Sequence, residues 1–163
     1  MEFLRRTLVF VGLLLVQVLV LNRIQLFHCA TPLLYVYFVV MLPLDTTRWA
    51  ALLWSFALGL AVDVFSNTPG VAAASMTLIG MLQPSLLPLF LPRDAEEHLA
   101  SAASTLGWMK FLTLATILVI VYCVVFFTLE AFTFFNWLYW LECVGGSALL
   151  TLLLIATLES LRR

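Results

Sequence analysis

The sequence predicts an all-α membrane protein, a polytopic bundle of about six transmembrane helices that forms one integral membrane domain over residues 1–163. Hydrophobic residues make up 64% of the chain and charged residues 10%, whereas a soluble domain carries about 25% charged residues. The mean hydropathy is +1.11. Such a chain lacks the polar side chains to cover a soluble surface, and its net charge of −1 excludes a basic nucleic-acid-binding footprint.

Apolar runs locate the predicted spans, since a helix needs about 20 apolar residues to cross the hydrocarbon of a membrane. Five runs are long enough, at about residues 4–21, 49–65, 69–91, 108–132 and 137–161. A further run, Leu33–Leu44, is too short to cross alone. Either this second span begins near Ile24 and is kinked at Pro32, or it is a short or re-entrant element.

The distribution of Lys and Arg predicts the orientation of these spans. With six spans and a cytoplasmic N-terminus, only Arg23 lies outside, and seven basic residues lie inside: Arg5, Arg6, Arg48, Arg93, Lys110, Arg162 and Arg163. Removing the short second span would place most of the inside group on the outer face. The bias therefore favours six crossings with both chain ends in the cytoplasm.

The end of the fourth span is predicted to be irregular. Pro84, Pro88 and Pro92 recur every four residues, and each proline removes a helical donor and clashes with the preceding turn. We expect a kink near Gln83 and a distorted segment down to Pro92, which either lines a cavity or ends the span at the cytoplasmic surface. In the polar loop 93–107 that follows, the first residues have the pattern of a short helix start.

The most informative stretch joins the third and fourth spans. Gly59 and Asp63 are four residues apart and share one helix face, and a glycine there lets another backbone come close. The sequence Asn67-Thr68-Pro69-Gly70 then breaks the helix. Thr68 is the expected N-cap of the next helix, with Pro69 as its first helical residue.

Ionisable residues within the spans are few. A carboxylate in hydrocarbon costs at least about 2.5 kcal/mol, and Asp63 falls close to the outer boundary of the third span. We expect Asp63 to reach interfacial water or the Ser66 and Asn67 amides, and to anchor the turn rather than carry protons. Glu130 and Glu142 are predicted to be interface residues.

No arrangement of residues indicates an enzyme. The sequence has no serine–histidine or HExxH pattern, no paired intramembrane aspartates and no glycine-rich phosphate loop, so we predict no catalytic residue, no cofactor and no metal site. Cys29, Cys123 and Cys143 are scattered in apolar stretches, which favours buried small hydrophobic residues over a disulfide or metal site.

Small residues predict where helices approach closely. In the last span Gly145 and Gly146 are followed by Ser147 and Ala148, and this notch serves either packing within the bundle or a groove for another protein's transmembrane helix. Our hypothesis is a lipid-exposed groove for a partner helix. Its candidate residues are Gly59 with Asp63, the stretch from Gly70 to Ala74, and the notch from Gly145 and Gly146 to Ala148.

The junction between the third and fourth spans also carries a family resemblance. It resembles the signature of the rod shape-determining protein MreD family, in the version found in Bacteroidetes, and reads Phe56-x-x-Gly59-Leu60-x-x-Asp63-x-Phe65-Ser66-Asn67-Thr68-Pro69-Gly70. The chain length, the six-span layout and the proline-bearing segment after the fourth span are similar as well.

This resemblance implies a non-enzymatic subunit of the bacterial inner membrane. Members of the family bind MreC, a protein with a single transmembrane helix, and act with MreB, RodA and a class B penicillin-binding protein in lateral peptidoglycan synthesis. The family's fold is similar to the substrate-binding subunits of energy-coupling-factor vitamin transporters. That similarity supplies the alternative function, a small-molecule binding or transport subunit, which needs several polar groups converging in one cavity.

Overall fold

The computed structural model describes residues 1–24, 30–42, 46–91, 107–131 and 136–162. These residues contain six α-helices and no β-strand. A 3₁₀ turn, Leu21–Arg23, follows the first helix. The helices are α1 (Glu2–Leu19), α2 (Val36–Val40), α3 (Arg48–Ser66), α4 (Val71–Phe90), α5 (Trp108–Ala131) and α6 (Trp137–Arg162).

Five of these helices, all except α2, are long and apolar enough to cross a membrane. The all-helical class is therefore confirmed, and the architecture is compatible with a multi-pass membrane protein. Helix α1 lies at the periphery, since 11% of its apolar window is buried, against about a third or more for each of the other four. The core is formed by α3, α4, α5, α6 and the segment around α2.

Contacts between α1 and α3 show that these two helices run parallel. Near their starts, the rings of Phe3 and Trp54 lie 5.7 Å apart. At the other end, the amide of Asn22, just after α1, donates a 2.7 Å hydrogen bond to the hydroxyl of Ser66, the last residue of α3. The chain must therefore return along the bundle between α1 and α3. We call the end of the bundle that holds the turn 67–70 the turn end, and the opposite end, where α1 begins, the terminal end.

Residues 30–42, here called the threaded segment, make this return through the protein interior. Residues 32–40 are all buried, and only the five residues of α2 are α-helical. At its start the Thr31 amide donates to the Ser147 hydroxyl, and at its end the Gln83 amide donates to the carbonyl of Leu42. A short element is therefore what the structure contains within 30–42, and a long kinked helix over these residues is excluded.

Side chains of neighbouring helices satisfy the extended backbone of the threaded segment. Gln17, fully buried on α1, accepts a hydrogen bond from the Leu34 amide and donates one to the Pro32 carbonyl, both at 3.0 Å. On α6 the Thr151 hydroxyl accepts from the Leu33 amide at 3.1 Å. Non-helical backbone at membrane depth is tolerated only where such partners exist. Gln17 and Thr151 therefore hold the segment in place.

Thr151→Val is expected to lower the free energy of unfolding by about 1–3 kcal/mol, because it leaves the buried Leu33 N–H without an acceptor. Thr157→Val on the same helix is the matched control. Both threonines donate to the carbonyl four residues earlier. Thr157, however, is exposed, and its hydroxyl bonds to no other segment of the chain that the structure describes. Denaturant titration in detergent measures both variants, and equal losses would contradict this role of Thr151.

Helix α4 continues through Pro84 and Pro88 to Phe90, so the prediction of a distorted segment from Gln83 is wrong as far as residue 90. Because the two prolines are four residues apart, the missing donor of Pro88 faces the carbonyl of Pro84. The lost backbone hydrogen bonds therefore lie along one side of the helix, and the hydrogen bonds on its other sides remain. Pro92, the predicted helix start in the loop 93–106, and Arg163 lie outside the described residues.

Candidate functional site

Asp63 lies at the junction of α3 and α4, and only 4% of its surface is exposed. Its two carboxylate oxygens accept hydrogen bonds from the backbone amides of Ala72 and Ala73, each at 2.9 Å. These amides are the second and third of α4, the donors that an N-cap side chain normally satisfies. Asp63 on one helix therefore caps the next helix. A carboxylate at this position also interacts favourably with the positive end of the α4 dipole.

The turn between the two helices differs from the prediction in detail. Gly70, with a φ of 80°, is the N-cap residue, and α4 begins at Val71, so the assignment of Thr68 as N-cap and Pro69 as first helical residue is wrong. Thr68 instead donates its hydroxyl hydrogen bond to Asp63 at 2.9 Å. Asn67 ends α3 in the left-handed conformation, with a φ of 60°.

The expected role of Asp63 as an anchor of the turn agrees with this geometry, but its partners are not those predicted. The carboxylate contacts Thr68, Ala72 and Ala73 and not the Ser66 and Asn67 amides. The physical reason is that the first amides of α4 have no partner within their own helix, whereas the Asn67 amide already donates to the backbone carbonyl of Asp63.

Gly59 allows α4 to come close enough for this cap. A Cβ atom at Gly59 would lie 2.6 Å from both the Ala72 carbonyl oxygen and the Ala73 Cα atom. A second close approach lies one turn before Gly59 on α3, at Ser55. A Cβ atom at Gly80 of α4 would lie 2.7 Å from the Cβ atom of Ser55. Small residues at every fourth position of α3 thus form its contact with α4; they are Ala51, Ser55 and Gly59.

This packing changes the groove hypothesis. Gly59 and Asp63 are buried between α3 and α4, so they do not form a lipid-exposed surface and cannot contact a partner helix without opening the pair. Gly70 and Pro69 are exposed at the turn. The stretch after Gly70 contributes to two surfaces: Ala72 and Ala73 are buried, whereas Val71 and Ala74 are not.

The notch on α6 is divided in the same way. Gly146 faces inward, where an added Cβ atom would lie 2.9 Å from the Cβ atom of Ala30. Ser147 and Ala148 are buried. Gly145 is exposed and has no atom within 4 Å of an added Cβ. Gly145 and Gly146 therefore serve different surfaces, one outside the bundle and one inside it.

The prediction for the cysteines holds for Cys123 and is wrong for Cys143. Cys123 is a free, fully buried thiol, as expected of a small hydrophobic residue. Cys143, near the turn end on α6, is disulfide-bonded. The only other cysteine in the sequence is Cys29, which lies outside the described residues together with His28.

A cavity of about 650 Å³ opens at the turn end. Its polar lining comes from Asn22, Ser66, Thr68, Glu130 and Asn136, and aromatic side chains supply much of the rest. The lining residues come from five separate stretches of the chain, at 22, 31–35, 62–68, 126–131 and 136–143, and only folding brings them together. Sequence reasoning missed the cavity, because it treated each polar residue as an isolated interface residue.

The chain matches no family model, no curated protein and no solved structure at a significant level. The arrangement at the turn end provides a capped helix junction, a disulfide-bonded cysteine and a polar-lined cavity.

Proposed function

We propose that this chain is a non-enzymatic inner-membrane subunit of the bacterial cell-elongation complex, which binds an MreC-like single-span protein and helps to direct lateral peptidoglycan synthesis and cell shape. MreB, RodA and a class B penicillin-binding protein are the further proposed members of this complex. The observation that supports the proposal is the role of the resembling motif. Its glycine and aspartate form a buried helix junction, as expected of a structural role.

The proposed orientation has both chain ends in the cytoplasm. The terminal end carries Arg5, Arg48, Lys110 and Arg162, whereas Arg23 lies at the turn end, and an excess of basic residues marks the cytoplasmic side. The disulfide at Cys143 supports the same orientation, since disulfides persist in oxidising compartments such as the periplasm. The turn end would then face the periplasm, where the main domain of an MreC-like partner lies.

The proposed docking surface for the partner's transmembrane helix is the outer face of α6 around Gly145. Leu141, Gly145, Leu149 and Leu153 follow one another at intervals of four residues, and all are exposed. A glycine between leucines forms a notch into which a second helix can pack closely. This replaces the part of the groove hypothesis that burial of Gly59 and Asp63 removes.

Gly145→Leu is expected to lower co-purification of the MreC-like partner about tenfold, because the added side chain fills the notch and keeps the partner helix away. Gly12→Leu is the matched control, since Gly12 on α1 is also exposed, with no atom within 4 Å of an added Cβ. Both variants should insert and purify at normal yield. Unchanged co-purification for Gly145→Leu, or an equal loss for Gly12→Leu, would contradict docking at this face.

A second candidate function is a small-molecule binding or transport subunit, similar in fold to the substrate-binding subunits of energy-coupling-factor transporters. The cavity at the turn end favours it, because polar groups from several helices converge there and the volume lies in the usual range of ligand sites. Saturable binding of a small molecule by the purified chain alone, with no effect of the partner proteins, would favour this function over the structural one.

A further inference from the structure

We propose that the cavity at the turn end binds an ammonium group carried on a small apolar body. This inference deepens the second candidate function and rests on it, and it is independent of membership in an elongation complex. Three features of the cavity support it: an aromatic wall, a single charged side chain among the described lining residues, and polar groups that are already bonded within the protein.

Aromatic rings form a continuous wall behind the cavity. Tyr35 packs edge-on against Tyr122 with ring centroids 5.6 Å apart, Tyr122 stacks on Phe126 at 5.6 Å, and Phe126 meets Phe127 at 5.3 Å. Tyr35, Phe126 and Phe127 line the cavity, as do Tyr139 and Trp140. Ring faces carry negative charge density and attract cations, and aromatic cages are a recurrent way to bind quaternary ammonium groups.

The charge of the cavity points the same way. Among the described lining residues Glu130 is the one charged side chain, and none is Lys or Arg. An anionic ligand would therefore lose its hydration with no cation to pair with. The Glu130 carboxylate makes no hydrogen bond or ion pair with any part of the chain that the structure describes, so it is available to a ligand.

Several other polar groups of the lining are already used within the protein. Asn22 bonds to Gln17 and Ser66, and Thr68 bonds to Asp63. The Tyr35 and Tyr122 hydroxyl groups bond to each other. These groups shape the wall, and among the described lining residues the carboxylate of Glu130 is the one charged group left to select the ligand. A cation with an apolar body matches one carboxylate facing several rings.

Two sources can supply this chemistry, a free small amine or the amine of a lipid headgroup, and the experiment separates them. The full chain is placed in nanodiscs of phosphatidylglycerol alone, and calorimetry measures the binding of benzyltrimethylammonium, the neutral benzyl alcohol and the anion phenylacetate. The titration is then repeated with phosphatidylethanolamine added to the discs. Competition from this lipid assigns the site to a headgroup, and unchanged binding assigns it to a free amine.

The cation should bind saturably with one site per chain, and Glu130→Gln should weaken that binding at least tenfold. Glu142→Gln is the matched control and should leave it unchanged, because Glu142 is an exposed carboxylate that does not line the cavity. Saturable binding of phenylacetate or benzyl alcohol in place of the cation would overturn the ammonium class while the small-molecule function stands. The absence of saturable binding by all three would overturn both.

Discussion

Asp63→Leu is expected to lower the free energy of unfolding by about 3–5 kcal/mol, because it removes a buried carboxylate that accepts several hydrogen bonds. The change removes two hydrogen bonds between a carboxylate and buried amides, each worth about 1.5–3 kcal/mol, and a third from Thr68. It also leaves the amides of Ala72 and Ala73 without an acceptor at the start of α4. Denaturant titration of the purified protein in detergent gives the value.

Two further variants test the same cap and should lose less stability than Asp63→Leu. Asp63→Asn keeps one acceptor oxygen and should lose less stability than Asp63→Leu, while Thr68→Ala removes one of the three hydrogen bonds and should cost about 1 kcal/mol. An equal stability for all three variants would contradict the capping role. A stable Asp63→Asn protein that has lost all activity in cells would instead indicate that the charge itself acts in function.

Gly59→Ala is expected to destabilise the protein by about 1–3 kcal/mol, the usual cost of overpacking a close interface, and Gly59→Leu should prevent stable folding. The added Cβ atom would meet backbone atoms of Ala72 and Ala73 at 2.6 Å, so the two helices must move apart. That movement would also lengthen the hydrogen bonds to Asp63. The unfolding midpoint in detergent is again the measurement.

Gly145→Ala is the matched control for this prediction, since nothing lies within 4 Å of an added Cβ there. It removes a helical glycine and should leave stability unchanged or raise it by up to about 1 kcal/mol. Tolerance of Gly59→Ala at the level of Gly145→Ala would show that the close approach of α3 and α4 is not needed.

The parts of the fold that follow from hydrophobic runs could be predicted from the sequence. The third span, predicted at 49–65, is α3 at Arg48–Ser66, because Trp49 and the turn 67–70 delimit it. The same reasoning left the second span open, since Leu33–Leu44 has neither the length of a span nor the alternation of a surface element. Its path depends on hydrogen bonds between residues that are distant in the sequence. Gln17 and Leu34 are separated by 17 positions, and Leu33 and Thr151 by 118.

The candidate site, like the fold, could be predicted from the sequence only in part. Local pattern indicated that Gly59, Asp63 and Gly70 belong to one junction, because all lie within a dozen residues. The predicted hydrogen-bond partners of Asp63 were wrong. A helix that ends shortly after an aspartate suggests a cap on nearby amides, whereas the amides that Asp63 binds are placed by the packing of α4 on α3. The cavity could not be predicted, because Glu130 and Asn22 meet there only through the tertiary structure.

The most direct test of the account asks whether the chain crosses the membrane between Arg23 and Arg48, as the threaded segment requires. Arg23 and Arg48 are exposed near opposite ends of the bundle, so Arg23→Cys and Arg48→Cys can be probed in the full-length chain with a membrane-impermeant maleimide. We expect Arg23→Cys to be labelled on intact cells and Arg48→Cys to react only after the membrane is opened. Labelling of both from the same side would contradict the six-crossing architecture.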